Sequence, residues 1–113
     1  LIATNMELTE SEANAFWPVY EVYQAELGKL RDRESKLIDE FAANLGTMSD
    51  DAAKNLLDDS LSIDSEYLTL RRSYLAKFRE VLPDTKVARY YQLENKIEAV
   101  LEYEQAKRIP LIR

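Results

Sequence analysis

The feature that most constrains this chain is an uninterrupted stretch in its middle, residues 50–82. It contains neither glycine nor proline, the two residues that most weaken a helix interior. Apolar side chains recur along it in two neighbouring rows, at spacings built from steps of three and four, which predicts one long helix with a broad apolar face. The first row comprises Leu57, Leu61, Leu68, Leu75, Phe78 and Leu82, and the second comprises Leu56, Ile63, Tyr67, Leu70, Tyr74 and Val81.

The length of this helix predicts an elongated molecule. At 1.5 Å rise per residue it spans roughly 50 Å, whereas a compact globule of this chain length has a radius of gyration of about 13 Å. Its apolar face must therefore be covered by the flanking helices and by another chain, so we expect a homodimer.

Composition predicts a single all-α domain covering residues 1–113. The chain is 46% apolar and 32% charged, with two glycines and three prolines. The net charge of −6 makes nucleic acid and anionic membranes poor partners, and no segment is apolar enough to predict a membrane span. The absence of Cys and His removes thiol catalysis, disulfides and the usual zinc ligands. We therefore expect no cofactor, no metal and no enzymatic activity.

Capping residues and prolines divide the chain into helices at about 10–16, 18–45, 50–82 and 85–107. An extended lead-in over residues 1–8 precedes Thr9, which together with Glu12 forms a predicted capping box. Pro18 lacks an amide hydrogen, so we expect a break or kink around residues 16–17. Ser49 is the predicted N-cap of the central helix, and the last helix is predicted to begin with Asp84 or Thr85 as its cap.

The two glycines carry separate expectations. Gly28 lies inside the second helix, where close approach of a neighbouring backbone would explain its presence. Gly46 follows the helix and is expected to end it in the left-handed conformation. Because the connection to the central helix is so short, the two long helices must form an antiparallel hairpin. The predicted fold is thus an elongated helical hairpin with a short N-terminal helix and a C-terminal helix, three to four helices in total.

Three segments of the chain carry a family resemblance: LTESE at 8–12, FWPVY at 16–20 and LPDTKVARYYQLE at 82–94. They resemble an uncharacterised secreted branch of the Spy/CpxP-like periplasmic proteins, which are named for an LTxxQ motif. The resemblance implies a periplasmic, cradle-shaped helical dimer acting as an ATP-independent chaperone, an envelope-stress adaptor or a metal-responsive protein. With neither His nor Cys, the metal-responsive branch is not expected here. The start at Leu1 fits either a cleaved secretory signal or a trimmed sequence, and the resemblance favours the signal.

Aromatic and basic side chains on the long helices are the candidate binding residues. Tyrosine combines an apolar ring with a polar tip, which suits a surface that binds varied proteins, and arginine can hold acidic or aromatic groups. The simpler interpretation of any single tyrosine is that it packs in the core. The predicted lining of a concave protein-binding face is Tyr20, Tyr23, Tyr67, Leu70, Arg71 and Tyr74.

Two sets of charged residues each allow more than one interpretation. Arg71, Arg72, Lys77 and Arg79 fit either an anion pocket or a set of inter-helix ion pairs or a register-setting pair. Glu34, Asp64 and Glu94 lie on or near the apolar seams. Asp58, Asp59 and Asp64 fit either a weak divalent-cation site or a solvated surface, because they lack the looped spacing of a calcium site.

These observations favour a binding function. The predicted function is that of a periplasmic protein-binding module resembling the ATP-independent chaperones of the envelope stress response. The alternative is a sensory adaptor for one specific envelope partner, without chaperone activity. An enzyme such as a helical mutase is the third class, and the sequence offers it no nucleophile with an evident base.

Overall fold

The computed structural model describes residues 2–112, which form four α-helices and one 3-10 turn. The helices are α1 (Ile2–Met6), α2 (Glu10–Ala43), α3 (Asp50–Val81) and α4 (Asp84–Arg108), and the 3-10 turn is Leu45–Thr47. The molecule measures 55 × 23 × 19 Å with a radius of gyration of 17.4 Å. A compact chain of this size would have about 13 Å. The predicted elongated all-α hairpin is confirmed.

Helices α2 and α3 form the hairpin, and capping residues define where each helix begins. The Thr9 hydroxyl accepts from the amide of Glu12, and the Glu12 carboxylate accepts from the amide of Thr9, so the predicted capping box is present. The Ser49 hydroxyl accepts from the Ala52 amide at the start of α3, as predicted. After Leu82 and Pro83 the chain reverses into α4, which runs back along the hairpin.

The predicted break near Pro18 is wrong, because α2 is one continuous helix through this position. Pro18 removes one backbone bond, the one to the carbonyl of Asn14. Both residues are exposed, so water can satisfy that carbonyl. Next to them, Phe16 is fully buried and Trp17 and Tyr20 pack against the core. Packing on the inner face therefore outweighs one missing bond on the outer face.

Three other local expectations are wrong. Residues 2–6 are helical rather than extended, because Ile2 and Met6, four residues apart, both enter the core. A Cβ added at Gly28 would meet nothing within 4 Å, so close backbone approach does not explain that glycine. Gly46 lies in the 3-10 turn without a positive φ, and the amide of Asn44, bonded to the Phe41 carbonyl, ends α2 instead.

The start of α4 also differs from the prediction. Neither Asp84 nor Thr85 caps it; Asp84 is its first residue, and the Pro83 carbonyl accepts from the amides of Lys86 and Val87. An acid in the first helical turn is still favourable, because it faces the positive end of the helix dipole. The carboxylate of Asp84 also accepts from Nε of Arg79 at 3.1 Å, which joins the two sides of the α3–α4 turn.

The hydrophobic core is concentrated at one end of the molecule, here called the aromatic end. It is built from α1, the start of α2, the end of α3 and the start of α4. Its buried side chains are Ile2, Met6, Phe16, Tyr23, Leu27, Tyr74, Phe78, Leu82, Val87 and Tyr90. The opposite end, called the tip, contains the α2–α3 connection. Leu30, Phe41 and Ile63 are buried outside this cluster.

Candidate functional site

Two of the six residues predicted to line a binding face are buried in the core. Tyr23 is 5% exposed and Tyr74 is 7% exposed. Their rings stack across the α2–α3 interface with centroids 4.8 Å apart, and the ring of Phe78 lies 5.8 Å from that of Tyr23. Neither tyrosine is on the surface of the single chain. The simpler interpretation, core packing, describes both.

Tyr20, Tyr67 and Leu70 are half-buried and pack against the same core. The Tyr20 ring stacks on Phe16 at 5.6 Å and meets the edge of Tyr90 at 6.0 Å. The main contacts of these three residues are therefore with the core.

Tyr67 and Arg71 reach an open groove and are the part of the predicted lining that faces space. The groove lies between α2, α3 and α4 and has a volume of about 300 Å3. Burial, and next the charge of Glu34, raise the pKa of Tyr67 to about 12. The Arg71 guanidinium lies 5.8 Å from the centre of the Tyr91 ring.

The basic residues of α3 do not converge on a common anion. The Lys77 ammonium lies 4.2 Å from the centroid of the Tyr74 ring, Arg79 is paired with Asp84, and Arg72 is exposed. These separate environments do not form an anion pocket, and among these residues Arg79 forms the expected kind of inter-helix ion pair. Within residues 2–112, no three acidic side chains gather closely enough to hold a metal ion.

Glu94 is the one charged residue among residues 2–112 that is buried. Its Oε1 accepts a hydrogen bond from Nε2 of Gln24 at 2.9 Å and another from the hydroxyl of Tyr90 at 2.8 Å. Burial, followed by the Glu94 charge, raises the pKa of the Tyr90 hydroxyl well above its ordinary value, so this group stays a donor. The network ties α2 to α4 inside the aromatic end, where a buried carboxylate needs donors.

The groove that Tyr67 and Arg71 reach extends well beyond the predicted lining residues. The 300 Å3 groove continues into an apolar groove of about 260 Å3 toward the tip, and Glu34, Asp64 and Gln105 line both. In the other direction, Leu68 is shared with a shallow surface groove against Val87. The apolar groove at the tip is lined by Leu37, Ile38, Phe41, Leu56, Leu57, Ile63 and Ile109.

Several large aliphatic side chains stand exposed beside these grooves. Leu57 is 63% exposed, Leu61 is 65% exposed and Leu68 is 49% exposed. On α4, Val100 and Leu101 are exposed as well. The sequence contained a sign of this, because the stretch of α4 that lies opposite the tip of α3 is rich in polar residues such as Glu98, Glu102 and Gln105, which cannot cover an apolar row.

Carboxylates outnumber cations at the centre of the groove system. Glu34, Asp64, Glu98 and Glu102 line the larger groove together with Arg31 and Arg71. Arg31 is engaged in a salt bridge with Glu98. Burial, and then the charges of Asp64, Glu102 and Glu98, raise the pKa of Glu34, while a hydrogen bond with Gln105 opposes the shift. The groove therefore combines apolar walls with a centre of uncompensated negative charge.

No protein-family model, curated protein or solved structure matches the chain. The resemblance to the Spy/CpxP-like proteins consequently stays a prediction, carried by the segments at 8–12, 16–20 and 82–94. Across residues 2–112, the helices lack an apolar stretch of the length that crossing a bilayer requires.

Proposed function

We propose that the chain is a protein-binding module that captures apolar segments of other proteins at its tip. The observation that carries the proposal is the exposed aliphatic surface of α3 and α4, with Leu57, Leu61 and Leu68 each about half-exposed or more. A contiguous apolar surface beside a groove is a common mark of protein-interaction sites. Covering apolar area stabilises a complex by about 25 cal/mol per Å2 before the costs of association.

The chemistry of the groove supports binding rather than catalysis. Its ionisable side chains are carboxylates, two guanidinium groups and the Tyr67 phenol, whose pKa is about 12. A general acid or base works best with a pKa near the working pH. The pKa of this phenol lies well above neutrality, and Arg31 is engaged with Glu98. Glu34 has a raised pKa, but the residues of 2–112 that line this groove include no serine, threonine, cysteine or lysine that it could activate.

A chaperone of unfolded proteins in the periplasm is the form of this function that the resemblance favours. Non-directional apolar contacts suit varied clients, because they require no particular sequence of hydrogen bonds. The homodimer and the periplasmic location belong to the same proposal. Sedimentation checks the first, and cell fractionation of the full-length gene product checks the second.

A specific adaptor is the second candidate, and the carboxylates of the groove favour it. Charged groups at the centre of an apolar surface discriminate between partners more than they add affinity. A chaperone suppresses aggregation of unrelated proteins, whereas an adaptor does not, so promiscuity separates the two candidates.

The experiment is light scattering of an unrelated unfolding protein with and without this chain in several-fold excess. Suppression is expected, and the paired substitution Leu61→Ser with Leu68→Ser should abolish most of it while circular dichroism stays unchanged. The matched control is Val22→Ser, which removes an exposed valine on α2 that lines none of the grooves described above. No suppression by the native chain excludes the chaperone and leaves the adaptor. Equal suppression by the paired variant excludes the tip surface.

A further inference from the structure

The exposed leucines of α3 belong to a regular seam that runs the whole length of the helix. Alternating steps of four and three residues connect its members: Leu57, Leu61, Asp64, Leu68, Arg71, Leu75, Phe78 and Leu82. Such spacing is the pattern of a helix that packs against another helix in the manner of a coiled coil. We call these eight residues the α3 seam.

Only half of the α3 seam is covered by this chain. At the aromatic end Phe78 and Leu82 are buried and Leu75 is half-buried, beside the start of α4. From the tip to the middle of α3, Leu57, Leu61 and Leu68 are exposed. Gln105 and Ile109 of α4 line the groove next to this half without filling it.

Asp64 occupies the middle of the uncovered half, with Leu57 and Leu61 before it and Leu68 after it. It is exposed, and among the described residues no cation forms a salt bridge with it. Its charge contributes to the raised pKa values of Glu34 and Tyr67. Glu34 and Glu102 line the same groove. If another helix covered this half, one of its own interface residues would face the carboxylates of Asp64, Glu34 and Glu102.

Resting on the proposed binding function, we infer that the uncovered half of the α3 seam receives an amphipathic helix of a partner protein with a basic residue opposite Asp64. Apolar residues of that helix would cover Leu57 and Leu61 on one side and Leu68 on the other. A lysine or arginine between them neutralises the carboxylates, and a polar pair at a seam position fixes register. Three heptads of partner helix span about 30 Å.

The charge pattern disfavours a second copy of this chain as the occupant of this half, so the proposed homodimer would have to form through another surface. Two copies meeting seam to seam in register bring Asp64 against Asp64, and like charges juxtaposed in an interface are unfavourable. Each copy also carries a net charge of −6. A basic helix has neither difficulty, so charge complementarity selects a different protein.

The probe is a synthetic helical peptide of three heptads with leucines at its seam positions and one central lysine. Its matched partner carries glutamate in place of that lysine and is otherwise identical. Fluorescence anisotropy with the full chain should show the lysine peptide binding at least about tenfold more tightly at low salt. The ratio should shrink as ionic strength rises from about 0.05 M to about 0.5 M, because salt screens the pair.

Two isosteric variants locate the charge. Asp64→Asn should remove most of the preference for the lysine peptide, whereas Asp58→Asn, on the same helix but outside the grooves, should leave it unchanged. Equal binding of the two peptides by the native chain, or full preference in Asp64→Asn, would overturn the inference.

Failure of the inference can be told from failure of the proposed function. Equal binding of both peptides, lost in Leu61→Ser, refutes the charge selection and keeps the apolar binding surface. No binding of either peptide, together with no suppression of aggregation, refutes both. A dimer in sedimentation that Leu61→Ser dissociates assigns the seam to a second copy and also overturns the inference.

Discussion

The two ends of the molecule are built from the same helices, yet one is closed and the other is open. At the aromatic end Phe16, Phe78 and Tyr90 are almost completely buried, and their rings lie 4.7 to 5.4 Å apart. At the tip the same α3 seam presents Leu57 and Leu61 to solvent. The difference lies in what the neighbouring helix offers: aromatic and aliphatic side chains at the start of α4, polar ones near its end.

The comparison teaches that regular apolar spacing on one helix does not establish burial. Burial also needs a matching face on a neighbour, and α4 supplies that face only over its first half. The stability of the fold is expected to reside at the aromatic end, and the capacity to bind is expected to reside at the tip.

The largest expected effect tests this division directly with two truncations on the same helix. Phe78→Ala should lower the free energy of unfolding by about 3 to 5 kcal/mol, because the ring is fully buried among other rings. Leu61→Ala should change it by less than about 0.5 kcal/mol, because its side chain is exposed. Urea unfolding measures both. Similar losses would mean that the tip is covered in solution.

A smaller effect is expected from a single hydroxyl at the aromatic end. Tyr90→Phe removes one donor from the buried Glu94 carboxylate and should lower the free energy of unfolding by about 1.5 to 3 kcal/mol, as for other bonds to charged groups. The control is Tyr103→Phe toward the tip, where the side chain is exposed and no loss is expected. Equal effects in thermal unfolding would contradict the distinction between the ends.

A gain in stability is expected between the two ends. Gly28→Ala places a methyl group where nothing lies within 4 Å, and it should raise the free energy of unfolding by about 0.5 to 1 kcal/mol through helix propensity alone. Chemical denaturation measures the gain. A loss instead would indicate that something covers this position in solution, such as a second copy.

The smallest effect concerns charge in the groove. Glu34 has a raised pKa, so ionising it is unfavourable in the folded chain; that penalty is present above the folded pKa and is lost as pH falls through it. Glu34→Gln should therefore stabilise the protein at pH 7, by less than about 1 kcal/mol because solvent screens a half-exposed group.

The pH dependence provides the check on that charge effect. The advantage of Glu34→Gln should narrow as pH falls toward 4.5, the ordinary value for a carboxyl group, when melting temperatures are compared across that range. The exposed Glu40→Gln on the same helix serves as the control. A constant advantage at every pH would show that carboxylate repulsion is not its cause.

The parts of the fold that the sequence predicted well are those decided within a few residues. The capping box of Thr9 and Glu12, the Ser49 cap and the antiparallel hairpin all follow from short-range chemistry. The prediction at Pro18 was wrong because the helix is kept continuous there by the packing of Phe16 against residues that are distant in the sequence, such as Phe78 and Tyr90. Residues 2–6 were misjudged for the same reason, since Ile2 and Met6 are ordered by the core they enter.

The candidate site was harder to predict than the fold. Spacing alone cannot distinguish Tyr74, which stacks in the core, from Tyr67, which reaches the groove, because both belong to one apolar row. Asp64 was placed on or near an apolar seam, with an ion pair or a solvated surface among its interpretations. Its meaning depends on which half of that seam α4 leaves uncovered, and that depends on how the three long helices meet.

The carboxylate of Glu12 accepts hydrogen bonds from one residue close to it in the sequence and from one far from it. Its Oε1 accepts from the Thr9 amide, three residues away, and from the Lys86 ammonium of α4, 74 residues away. Lys86 also donates to the carbonyl of Glu7, just beyond α1. One oxygen atom thus links the N-terminal cap of α2 to the packing of α4 beside it. Hydrogen exchange at the Thr9 amide should therefore report the opening of the whole aromatic end rather than the fraying of one helix.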